Sequence, residues 1–154
     1  LGGVLLTSVL VAEYIVLNPA DRYYPFASLG LIGVSFALFF LIVVSIYASG
    51  ARLYILLAGI LPAGFLITAR TLFLRLHGVW RFNWAIAIAI ILTQIAAGLF
   101  YLEVKPLMLS LILLGFLYGL TALATNLEEK QPTNLLWVEP ALMAGVFVIL
   151  GLIL

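Results

Sequence analysis

Few side chains in this sequence carry a charge, and those few are where chemistry has to start. Glu13 sits in "VAEYIVLNPADRYYP", inside an apolar run that ends at Asn18 and Pro19. Glu139 stands in "LLWVEPAL" toward the other end of the chain, and Arg70 in "LITARTLFLRLHG". A charge at the centre of a bilayer costs about 2.5–3.5 kcal/mol on insertion scales, so such groups usually face a bundle interior and pair. Two readings follow for Glu13 and Glu139. They are structural partners of Arg70, or snorkel to water. Alternatively they form a protonatable or cation-binding pair, since two carboxylates held close in low dielectric share a proton. Glu139 has a simpler explanation, because Pro140 suits a first helical turn and a carboxylate there complements the helix dipole. Glu13 has none, and is the best single functional candidate.

Gln94 is the only strongly polar side chain near the middle of an apolar run, and at helical spacing it shares a face with Ala87, Gly98 and Tyr101. An interhelical hydrogen bond, worth about 0.6–2 kcal/mol, is the usual task for such an amide; a place on a solute pathway is the other. The joint "ARTLFLRLHGVWRFNW" puts Arg70, His77 and Arg81 on one helical face and Leu72, Phe73, Leu76 and Trp80 on the other. This predicts a short basic amphipathic segment at the interface, made of Arg75, His77, Trp80, Arg81 and Trp84, with the tryptophans as belt aromatics. It would meet anionic head groups or an acidic patch on a partner, or serve as plain anchoring. Three cations fall short of the clusters of four to eight that mark lipid recognition.

Several chemistries are absent. Without cysteine there is no disulfide, thiolate metal site or cysteine nucleophile. One histidine argues against a multi-histidine haem or metal site. No Gly-rich nucleotide loop, His-Glu helix motif or Asp-rich Mg²⁺ site is present, and no serine has a histidine at its depth. Catalysis, a bound metal and a cofactor are therefore not expected. A net charge of +1 argues against nucleic acid as a partner.

The elements that must position these groups follow from composition. Hydrophobic residues make up 66% of the chain and charged residues 8%, against roughly half and a quarter in soluble domains. No soluble core of this size hides so much apolar surface, so the solvent is lipid. There the backbone must satisfy itself as helices or a closed barrel. The apolar runs are continuous rather than alternating over about ten residues, which selects helices. Six spans are expected, at about 1–17, 28–49, 53–71, 84–102, 107–125 and 135–154, in one all-α bundle of antiparallel neighbours joined by short loops. The chain opens at Leu1 and closes at Leu154 within an apolar run, as expected of the ordered part of a longer product.

Arg22, Arg70, Arg75, Arg81 and Lys130 fall in the odd-numbered joints, five cations against two, Arg52 and Lys105, in the even ones. The expected setting is a bacterial inner membrane with the odd loops in the cytoplasm. Small residues form three seams: Gly115, Gly119 and Ala122; Gly30, Gly33 and Ala37; and Ala85, Ala89, Thr93 and Ala96. Such faces let backbones approach closely, within the bundle or against another membrane subunit. A faint echo between the halves, such as Leu6–Ser8 with Leu92–Gln94, or Pro62 with Pro140, would make three-helix inverted repeats as in many transporters. Two functions are expected on these grounds. The first is a non-catalytic scaffold, assembly or accessory subunit, with lipids and other membrane subunits or its own copies as partners. The second is a small proton- or cation-linked transporter or channel, with Glu13, Gln94 and Glu139 along its path.

Overall fold

The computed structural model describes residues 2–17, 22–129 and 137–153. Six helices lie among them: α1 (Gly2–Val16), α2 (Tyr24–Ala48), α3 (Leu53–Arg75), α4 (Phe82–Phe100), α5 (Pro106–Glu128) and α6 (Val138–Ile153). The fold is all-helical. Four helices, α2 to α5, are long and apolar enough to cross a membrane, whereas α1 and α6 have 15 and 16 residues. At 1.5 Å per residue those two measure roughly 22 and 24 Å, less than the ~30 Å of a hydrocarbon layer.

Helix ends differ from the expected spans for identifiable reasons. Pro25 and Pro106 lie in the first turns of α2 and α5, where a missing N–H leaves no helical bond unmade. Thus α2 starts at Tyr24 rather than Ser28. The expected spans stopped where charge began, but a charged side chain at a membrane surface does not interrupt the backbone ladder. α3 therefore runs on past Thr71 to Arg75, unbroken through Pro62, and α5 past Thr125 to Glu128.

α3 stops in a Schellman turn. The Leu76 N–H donates to the Leu72 carbonyl and the Gly78 N–H to the Phe73 carbonyl at 2.9 Å. The turn needs a left-handed residue after the cap, and His77 supplies it at φ 50°, followed by Gly78 at φ 92°. The helical count from Arg70 through Arg81 therefore fails, because 77–81 is not helix. The expected basic amphipathic segment is divided between the last turns of α3, a turn, and the start of α4.

Helices α2, α3, α4 and α5 close a four-helix ring, each packed on its neighbours, with α3 also touching α5 across it. Phe39, Val43, Leu56, Ile60, Leu72, Leu92, Leu109, Leu113 and Leu117 fill its centre with no exposed surface. α1 rests on α2, where Val16, Tyr24, Ala27, Leu31, Ile32 and Leu74 form a second apolar cluster. α6 packs along α5 more extensively than any other pair of the described helices, and closely at three glycines.

That closeness comes from the Gly115, Gly119 and Ala122 seam, which is buried within the chain. A Cβ on Gly115 would stand 2.6 Å from Phe147 Cβ, and one on Gly119 3.1 Å from the Pro140 carbonyl. The α2 seam is different. Gly30, Gly33 and Ala37 are exposed, and a Cβ on either glycine would meet nothing within 4 Å, so among the described residues they hold no helix. Inverted symmetry fails too. α3 packs tightly on α4, and no comparable packing joins their counterparts, α6 and α1.

Candidate functional site

Polar side chains concentrate at one end of the bundle, where α1, α3 and α5 finish and α2, α4 and α6 begin. Three arrangements stand there side by side. In the first, Arg70 Nη2 on α3 donates to Glu13 Oε2 on α1. The Arg70 guanidinium also lies 5.6 Å from the Phe73 ring centroid, a cation–π contact on the same helix. The carboxylate side chain is 45% exposed and the guanidinium 28%, so the pair sits at the bundle's edge rather than in its core. Glu13 is thus explained as the partner of Arg70 and as the tie between α1 and the ring.

The second arrangement joins α4 to α5. Glu128 accepts from the Trp84 indole N–H at 3.0 Å through Oε1 and pairs with Arg81 at 3.1 Å through Oε2. Trp80 stacks on Phe82 at 5.4 Å between centroids and lies tilted against Phe73 at 4.4 Å. Of the expected segment of Arg75, His77, Trp80, Arg81 and Trp84, Arg81 and Trp84 share Glu128 as partner, and the five do not form one helical face. Glu128 was missed because its sequence, "NLEEKQPTN", looks like a loop. An indole N–H at the start of α4, needing an acceptor near the end of its antiparallel neighbour, was the available signal.

The third is a cleft of about 430 Å³ between α2, α5 and the start of α6, roofed by the end of α3. Arg75 and His77 face it, as do Glu129 and Glu139. The Arg75 guanidinium lies 5.2 Å from the Tyr118 ring centroid, and the Tyr118 hydroxyl donates to Glu139 Oε1 at 3.3 Å. His77 stacks on Tyr24 at 5.7 Å between centroids, and the Tyr24 hydroxyl donates to the Leu74 carbonyl at 2.9 Å. Glu139 occupies the first turn of α6, as its pairing with Pro140 implied. It shares the end of the bundle with Glu13 and Arg70 but belongs to this cleft, and Tyr118 is its partner. The two carboxylates therefore do not form a single proton-sharing site.

Gln94 is placed elsewhere. α4 buries Ala85, Ile88, Ala89, Leu92 and Ala96, and turns Ala87, Gln94, Gly98 and Tyr101 outward. The expected face is correct, and it points away from the bundle. Lys130, counted among the odd-joint cations, lies outside the described residues. A larger groove of about 670 Å³ separates α1 from the start of α2. It offers little chemistry: its Thr7 and Ser8 hydroxyls both donate at 2.8 Å to carbonyls of their own helix.

The chain belongs to the DUF5656 family, described as a protein of unknown function, whose profile matches residues 1–154. No curated protein and no solved structure matches it.

Proposed function

We propose that this chain is a non-catalytic, six-span membrane protein that acts as an assembly or accessory subunit, joined to a partner through the outward face of α4. One observation carries the reading: the only amide deep in that helix, Gln94, faces outward between Ala87 and Gly98. Counting back from Phe100, it lies about 9 Å inside the helix end. An amide facing hydrocarbon without a partner costs free energy, and a second helix crossing at Gly98 would satisfy it. Small residues flanking a polar one are the pattern by which helices associate in lipid. The exposed Gly30, Gly33 and Ala37 give α2 a similar face.

The transporter reading draws less support. Gln94 faces away from the ring, Glu13 is engaged by Arg70, and the ring's centre is filled by fully buried apolar side chains.

The cysteine-free chain makes the test direct. Gly98→Cys or Ala87→Cys, labelled with a maleimide–benzophenone in native membranes, should photo-cross-link to a second polypeptide, whereas Leu92→Cys, on the buried face, should not. Gln94→Leu should weaken that assembly without lowering thermal stability. If neither outward cysteine cross-links and Gln94→Leu leaves the native complex at its original size, the proposal fails.

A further inference from the structure

The cleft at the polar end has two unlike sides. Pro25, Leu29 and Ile32 of α2 give it an apolar flank, and Leu29 is 67% exposed there. The opposite rim is charged, with both signs present. Arg70 and Arg81 each have a carboxylate partner. Arg75 has none among the described residues, and its guanidinium rests on the Tyr118 ring instead. The far edge of that ring holds Glu139 through the hydroxyl. A single tyrosine therefore keeps a cation and an anion apart within one cavity.

That geometry discriminates among ligands. A purely anionic group drawn to Arg75 would also meet Glu139, and like charges brought together oppose binding. A purely cationic group would meet Arg75. A ligand with both charges, separated by about the width of the ring, satisfies both sides. An alkyl chain on the same ligand would lie on Leu29 and Ile32, where burial of apolar surface is favourable.

We propose that this cleft binds a phosphoethanolamine-type amphiphile. Its phosphate meets Arg75, its primary ammonium donates to the Glu139 carboxylate, and its chain lies along the α2 flank. His77, fixed beside the phosphate position by its stack on Tyr24, adds a donor. The inference rests on the chain being membrane-embedded, but not on any partner at Gln94.

Native mass spectrometry of the full chain released from detergent provides the test, with phosphatidylethanolamine, phosphatidylglycerol, phosphatidylcholine and soluble glycerophosphoethanolamine as probes. Phosphatidylethanolamine should be retained about tenfold more tightly than phosphatidylglycerol, because one charge-assisted contact is gained and one repulsion removed. Phosphatidylcholine, whose ammonium has no N–H, should fall between them. Arg75→Gln and Glu139→Gln should each cost roughly fivefold to tenfold. Leu29→Trp fills the apolar side without touching a charge, so it should displace the lipid even if a charge variant folds poorly. Tighter retention of phosphatidylglycerol, or phosphatidylethanolamine retained equally by Arg75→Gln, Glu139→Gln and Leu29→Trp, would overturn the proposal. Equal competition by glycerophosphoethanolamine would overturn the lipid as the source. Failure here with cross-linking at Gly98 intact would leave the assembly reading standing, and the reverse outcome would separate the two equally well.

Discussion

The Glu13–Arg70 pair gives each of two charges among apolar helices its counterion. Together they tie α1 to α3 across no intervening side chain. Partial exposure limits the gain, because exposed pairs contribute about 0.2–1 kcal/mol. Removing one partner is worse than removing both, since it strands the other charge. Arg70→Leu should therefore lower the unfolding temperature more than Glu13→Gln, and adding Glu13→Gln to Arg70→Leu should restore part of the loss. Thermal unfolding in detergent for the four forms measures this, with a coupling of about 1 kcal/mol expected; strictly additive losses would mean the pair is incidental. This contact was one of the readings open in the sequence, because a charge inside an apolar run calls for a partner and Arg70 is among the few available. The Trp84–Glu128–Arg81 contact was not, because Glu128 looks like loop until α5 is seen to run three residues beyond its apolar stretch. Nor was the role of Tyr118, an ordinary aromatic in sequence that becomes the spacer between Arg75 and Glu139 only when α3, α5 and α6 meet.

At the scale of elements, periodicity finds a small-residue face without saying what that face meets. The seams on α2 and α5 look alike in sequence, yet one is exposed and the other carries α6. The difference is set by ring closure: α5 packs on α2 and α4 inside the ring and presents its glycine face to the next helix in the chain. Gly119→Ala would put a methyl 3.2 Å from Ala144 Cβ and 3.1 Å from the Pro140 carbonyl, and Gly115→Ala would put one 2.6 Å from Phe147 Cβ. None of those atoms is the yielding end of a flexible side chain, so α6 must move away. Each substitution should cost about 1–3 kcal/mol, the usual range for overpacking. Gly30→Ala, where the space is open, should be neutral or gain about 0.5–1 kcal/mol from helix propensity. Unfolding of the three variants side by side decides the matter. Equal behaviour at Gly30 and Gly119 would contradict the α5–α6 contact.

For the whole molecule, the number of crossings turns on the two short helices. α6 lies along the first part of α5: Pro140 and Ala144 stand by Gly119, Phe147 by Gly115, and Gly151 by the Met108 carbonyl and Leu111. Met108 is in the first turn of α5, which runs on past Gly119 to Glu128, so in the proposed arrangement α6 would cross beside α5 from that end. For α1, the Arg70 contact fixes one end at the level where α3 finishes, and its roughly 22 Å then covers most of a hydrocarbon layer. Local thinning or snorkelling accommodates the remainder at a fraction of a kcal/mol per Å. The proposed six-span arrangement would set Arg22, Arg70, Arg75 and Arg81 at the polar end against Arg52 and Lys105 at the other, and the positive-inside bias would then turn the polar end to the cytoplasm. Single cysteines introduced into this cysteine-free chain test both statements with a membrane-impermeant maleimide. Gly78→Cys and Trp137→Cys should label only from the cytoplasmic side, and Gly50→Cys and Leu102→Cys only from the opposite side. Gly2→Cys and Ile153→Cys distinguish the span counts: labelling together with Gly50→Cys means six crossings, whereas labelling together with Gly78→Cys means that only the four ring helices cross.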